Sequence, residues 1–166
     1  MSRAVIRTSV VALCGLSLLA GCGRDRSAGE LRTHLESEFQ ARYIQPYVAG
    51  DIDAWMNVFA DDVVALHDGL PPLDGRDAVR GFGDIVTQNF AITRMDAVID
   101  EVRRNGDWSW TRGQFIAVFE AKTEEAPPGI AGERSGKFLL IWERQDDGEW
   151  LVIMDMGNSM RSPGPE

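Results

Sequence analysis

At Ala91 the chain changes its period, and that change limits its architecture more than any other feature. Upstream, apolar residues recur at helical spacing around one short strand-like run. Downstream come four long strand-like segments joined by turn signals. Helices gathered at one end of a sequence and antiparallel strands at the other bury their apolar faces as an α+β layer fold. A strongly bent sheet wrapped over three N-terminal helices leaves a cone with one open end, where a small ligand settles.

Within the upstream half, Leu31, Leu35, Phe39, Tyr43 and Tyr47 recur at intervals of four, on one slowly drifting helix face. Pro46 lacks the N–H that would bond the carbonyl of Arg42, so the spacing predicts a kink or an early end there. Ala49-Gly50 closes the segment, and Asp51 is placed to cap a short helix over Ile52–Ala60, with Trp55 and Phe59 on its apolar side. Asp61-Asp62 ends that helix, and Val63–Leu66 reads as a buried strand. Asp68-Gly69, Pro71-Pro72 and Asp74-Gly75 force loop geometry. A third helix runs from Asp77 to about Phe90, with Val79, Phe82, Ile85, Val86 and Phe90 inward. Gly81 and Gly83 each weaken that helix by about 1 kcal/mol relative to alanine, which predicts a packing reason or a fray.

In the downstream half, Ile92–Arg104 and Asp107–Ala121 are strands joined at Asn105-Gly106, a type I′ hairpin signal, with Gly113 expected at a bulge. Residues 124–133, with Pro127-Pro128-Gly129, form a loose connection. Ser135–Arg144 turns through Gln145–Gly148 into a last strand, Glu149 to about Asn158. That strand is apolar on both faces, which predicts that the outer sheet face packs on a partner, a second copy of the chain.

The first 21 residues resemble a bacterial lipoprotein signal: Arg3 and Arg7, an apolar run from Val10 to Ala20, then Leu19-Ala20-Gly21-Cys22 in the manner of a lipobox. The resemblance implies that Cys22 is the lipidated first residue of the mature chain, anchored to a membrane of the cell envelope. Residues 22–29 are then a polar tether, 30–160 the folded domain and 161–166 a frayed tail. Cys14 leaves with the signal, so no disulfide and no thiolate metal site is expected, and two histidines make a poor zinc site. Without the signal the chain has 15 basic and 26 acidic residues, a formal charge of −11. Such a surface repels phosphate backbones, so nucleic acid is excluded as a partner and the lipid is the expected hold on the membrane.

AGDIDAWMNVFADDVVAL, GRDAV, RNGDWSWTRGQF, and GKFLLIWER followed by DGEW together resemble the SnoaL-like domains of the nuclear transport factor 2-like fold. That superfamily includes ketosteroid isomerase, polyketide cyclases, dehydratases and small domains of no assigned activity, and the resemblance covers about Leu31–Asn158. It implies a cone fold and a cofactor-free site, and leaves the activity open. Carried over from ketosteroid isomerase, the oxyanion tyrosine falls on Tyr43, the general-base aspartate on His67 and the protonated oxyanion-hole aspartate on Leu140. Leucine donates no hydrogen bond, so the isomerase reaction in its usual form is not expected.

His67 is the sharpest candidate for chemistry: an imidazole at a strand end is a general base near neutral pH, or else a loop histidine bonded to Asp68 or to backbone. Tyr43 is an oxyanion donor, or a core tyrosine with its hydroxyl at the rim. Asp155 interrupts an apolar strand and must be paired, neutral or exposed to a cavity, with Arg112 as its expected structural partner. Tyr47, Trp55, Trp110, Arg112, Phe138, Trp142 and Asn158 are candidate ligand contacts, the aromatics serving otherwise as core. Two readings follow. One is an envelope lipoprotein that binds a small apolar ligand or a protein partner in its cone. The other is a metal-free isomerase, cyclase or dehydratase moving a proton on a small carbonyl compound, with His67 as base and Tyr43 as oxyanion donor.

Overall fold

The computed structural model describes the backbone of residues 20–160 and the side chains of residues 28–160. The expected signal, apart from its last two residues, and the expected tail lie outside the described residues. Helix α1 (Ala20–Glu38) runs on through a π-helical turn (Phe39–Ile44) into α2 (Gln45–Ala49). The backbone of residues 22–29, expected as a tether, is thus helical. Pro46, at the start of α2, cannot donate to Arg42, and ahead of it Gln45 N–H bonds Gln40 O, five residues back. This widening has a packing consequence. At 3.6 residues per turn each step of four drifts by about 40°, which would swing Tyr47 away from Leu31. The wider π turn takes back part of that drift, and Leu31, Leu35, Phe39, Tyr43 and Tyr47 are all buried.

Asp51 caps α3 (Ile52–Trp55) by accepting from Ala54 N–H at 2.9 Å. That helix tightens into a 3₁₀ turn over Met56–Val58 and ends earlier than expected. Strand β1 begins at Phe59 and runs to His67, so Asp61 and Asp62 are strand residues, with exposed side chains. The two-residue β2 (Leu73–Asp74) precedes α4 (Arg76–Asn89). Gly83 has its packing reason: a Cβ there would stand 2.8 Å from the six-membered ring of Trp55. Ile85, expected inward, is 56% exposed. Six residues on from Val79 it lies about 240° round the helix, off the buried stripe.

Strands β3 (Phe90–Asn105), β4 (Trp108–Ala121), β5 (Gly132–Arg144) and β6 (Trp150–Ser159) form the antiparallel meander. β1 joins β6 in parallel, giving the order β2-β1-β6-β5-β4-β3. The loop between β3 and β4 is Gly106–Asp107. Type I′ needs positive φ at both loop residues, whereas among the described residues only glycines, here Gly106 at +64°, have it. The expected bulge lies opposite Gly113, on β3, where Asp100 is the extra residue. A Cβ on Gly113 would meet Val98 O at 1.9 Å, so only glycine fits there.

Candidate functional site

Two register facts aim the site. On β6 the pairing slips by one residue between Trp142↔Val152 and Ile141↔Met154, leaving Ile153 as a bulge. That slip turns Asp155 to the inner face, opposite Leu140 on β5 and Ala65 on β1. The position where the isomerase comparison implies a carboxylic acid carries Leu140, and its ladder partner supplies one from the next strand. His67 ends β1 over Gly157, close enough that a Cβ there would be 3.9 Å from its Nδ1, and lies beside the Phe82 ring at 4.8 Å. The π turn delivers Tyr43 from the helix layer.

The three meet on one atom. Tyr43 OH donates to Asp155 Oδ2 at 2.7 Å, and His67 Nε2 stands 3.6 Å from the same oxygen. Asp155 is 2% exposed, while the His67 side chain keeps 22% of its surface. His67 is therefore the edge through which the cluster meets solvent. Burial works against a charge on His67, but the Asp155 carboxylate outweighs it and holds its pKa above the usual value. Burial pushes the Tyr43 phenol well up, and the Asp155 charge and hydrogen bond add to that. Tyr47, one turn on, is raised by burial and by Asp155. A carboxylate that orients a histidine while held by a third group is the arrangement that readies an acid–base residue.

The remaining candidates divide by strand parity. Phe138 faces inward, half-buried, and stacks on Phe39 at 5.0 Å. Trp55 is buried, its ring 4.9 Å from Tyr47 and 4.8 Å from Phe59; among the described residues its Nε1 is the one buried side-chain polar atom without a partner. Trp142 is sealed in the core with its Nε1–H on Thr111 Oγ1 at 3.0 Å, so it lines no pocket. Trp110, Arg112 and Asn158 correct the expectation of ligand contacts. They pair with Ile141, Leu139 and Lys137, and this parity puts them on the outer face. The Arg112–Asp155 pair does not form either, since Arg112 binds Glu101 at 2.9 Å across that face.

Inside the cone, Phe39, Tyr43, Trp55, Phe59 and Phe138 are linked by a chain of ring contacts. A surface recess of about 560 Å³ lies elsewhere, between Phe90 and the loop holding Pro127 and Pro128, with the Lys122 ammonium already on Thr87 O at 2.6 Å. Among the described residues no three His, Cys, Asp or Glu side chains converge as metal ligands, and no helix is long and apolar enough to cross a membrane. Sequence reasoning singled out Tyr43, His67 and Asp155 separately and missed that they converge. It also took Phe82, which flanks the imidazole, as core alone.

Solved structures share this architecture. A ketosteroid isomerase-like protein from Erwinia carotovora atroseptica superposes with a TM-score of 0.64 at 19% identity, over 75% of this chain and 98% of that one. A conserved protein from Planctomyces limnophilus gives 0.63 at 21%, over 83% and 98%. A nuclear transport factor 2-like protein of cystatin-like fold from Novosphingobium aromaticivorans gives 0.61 at 13%, over 90% and 95%. At these identities the likeness concerns the fold. No curated protein matches the chain. The profile of the SnoaL-like domain matches residues 41–152, from just before Tyr43 to the strand that carries Asp155. With that match over most of its length, the chain belongs to the SnoaL-like domain family.

Proposed function

We propose that this chain is a lipid-anchored envelope protein whose SnoaL-like domain binds a small apolar carbonyl compound at the His67 edge of the cone and moves a proton on it. The observation that carries the reading is the convergence of Tyr43 OH and His67 Nε2 on Asp155 Oδ2. His67 is the base. Asp155 orients it and strengthens it as a base, and stabilises the imidazolium that forms. Tyr43 gives its only proton to Asp155. That makes it a positioning residue that fixes the carboxylate, in place of the oxyanion donor implied by the isomerase comparison. Phe82 and the half-buried Phe138 supply an apolar rim.

The test uses 5-nitrobenzisoxazole, a general probe of proton abstraction. The wild type should open it faster than buffer, with a rate that rises with pH and levels off once His67 is neutral. His67→Ala should abolish the acceleration; an unchanged rate in that variant sinks the proposal. A second reading, binding without catalysis, is favoured by the commitment of the Tyr43 hydroxyl to Asp155, which takes the expected oxyanion donor out of play. It would be indicated by saturable binding of the probe with no turnover.

The anchor is Cys22, and Cys22→Ala should move the protein from the membrane to the soluble envelope fraction. Val98, Ile116 and Met156 are exposed on the outer sheet face away from the β3–β4 turn, and we assign that part of the face to a homodimer. Sedimentation of the wild type as a monomer at micromolar concentration would refute that assignment.

A further inference from the structure

Side chains of α1 and the π turn cap the outward carbonyls of the edge strand β3 in reverse order. Arg32 Nη2 donates to Ile99 O at 2.9 Å, while Gln40, eight residues later, donates to Ala97 O at 3.3 Å. α1 therefore runs antiparallel to β3, and its start points toward the end where β3 turns into β4. From Arg32 back to Cys22 the helix spans about 15 Å. From Ile99 forward to Asn105 the strand spans roughly 17–20 Å. The backbone of Cys22 and the tip of the β3–β4 hairpin are thus at one level, at one end of the domain.

That tip presents an exposed aromatic ring. Trp108 is 53% exposed beside the turn, its indole N–H on Glu143 at 2.9 Å. Arg103 and Arg104 are exposed on the adjoining strand. Arg103 shares Glu101 with Arg112, and Arg104 bonds Gly106 O at 2.7 Å with its guanidinium over Trp150 at 5.4 Å. Asp107 in the turn, Glu143 opposite Trp108, and Asp146 and Asp147 in the neighbouring β5–β6 turn make this end acidic, so its contact with a bilayer is through the indole and not through charge. An exposed tryptophan suits the headgroup layer, where the indole sits at the interface.

His67 lies away from this end. Ile99, Gly113, Phe138, Gly157 and His67 form one row across the sheet, and Asn105, Trp108, Glu143 and Leu151 another. The five residues from Trp108 to Gly113 separate the rows by about 17 Å, and β1 runs away from the tip.

We infer that the β3–β4 hairpin tip rests on the phospholipid surface through Trp108, and that the His67 edge opens away from it and draws its ligand from the aqueous phase. The inference rests on the lipid anchor at Cys22. Its test is amide hydrogen exchange of the full lipid-bearing chain, on vesicles of phosphatidylethanolamine and phosphatidylglycerol and in detergent. Exchange over Gly106–Ser109 should slow on vesicles, exchange over Asp68–Leu70 should stay as it was, and Trp108→Ala should lose the slowing. Protection at Asp68–Leu70 with none at the tip overturns the inference, as does no difference at either place. Protection at the tip that follows protein concentration instead of lipid also overturns it, in favour of a second copy on Trp108. Intact mass judges the anchor separately. If Cys22 carries no lipid, that reading fails, and the mature chain coupled through Cys22 to a maleimide lipid still reports which end faces the vesicle.

Discussion

Replacing Tyr43 with phenylalanine removes one oxygen and leaves the Asp155 carboxylate in place, 2% exposed and without its hydroxyl donor. A hydrogen bond to a charged group contributes about 1.5–3 kcal/mol, and a buried acceptor left unsatisfied carries its desolvation penalty as well. Tyr43→Phe should therefore cost about 2–4 kcal/mol in urea unfolding above the His67 titration midpoint, where the imidazole is neutral and offers no compensating charge. Asp155→Asn removes the charge that needed the donor, so a hydroxyl lost on top of it should cost much less. The double-mutant cycle should show a coupling of about 1–3 kcal/mol. The pH dependence carries a sign. His67 has its folded pKa raised above its unfolded value, so its stabilising pairing with Asp155 is complete below the unfolded value, about 6.5, and is lost as pH rises through the folded one. Protonated His67 partly replaces the missing donor, so the cost of Tyr43→Phe should shrink at pH 5.5. Two costs that simply add, within about 0.5 kcal/mol, would refute the claim that Tyr43 holds Asp155.

Further outcomes follow from the same contacts. By ¹⁵N NMR, His67 should titrate above the ordinary histidine value in the wild type and below it in Asp155→Asn, where burial alone remains; an unmoved midpoint refutes the pairing. Gly83→Ala should destabilise by about 1–3 kcal/mol in urea, because its Cβ enters the Trp55 ring contact at 2.8 Å. Gly81→Ala, two residues away with nothing within 4 Å, should stabilise by about 0.5–1 kcal/mol, and equal effects at both positions would discredit the packing account.

Much of this fold is legible in the residues because each signal is local. Asp51 caps a helix through its own side chain, and the four-residue stripe from Leu31 to Tyr47 needs only helical geometry to reach the core. The end of the second helix was less legible. Asp61-Asp62 looks like a helix stop, yet Phe59–His67 is held as a strand by pairing with β6, which lies about 90 residues away in sequence. The π turn is an effect of the same kind. Pro46 announces a disturbance, but whether the helix ends, kinks or widens depends on which choice keeps both Tyr43 and Tyr47 against the sheet.

The site shows why sequence reasoning identified its members and missed their union. Which face a strand residue takes is a parity, and one extra residue anywhere along the pairing inverts it. Counted without interruption from Arg144↔Trp150, Leu139 would pair with Asp155 and the carboxylate would join the outer face, within reach of Arg112. That count leads to the expected Arg112–Asp155 ion pair. The bulge at Ile153 breaks it, sends Asp155 inward opposite Leu140, and leaves Arg112 to Glu101. The inner face at that height already has Tyr43 above it and His67 beside it, so a single inserted residue converts three separately placed polar side chains into one cluster. Loss of the acid at position 140 is then no evidence that the site has lost its carboxylate. In a sheet the chemistry belongs to a place on the face, and either of two neighbouring strands can supply it.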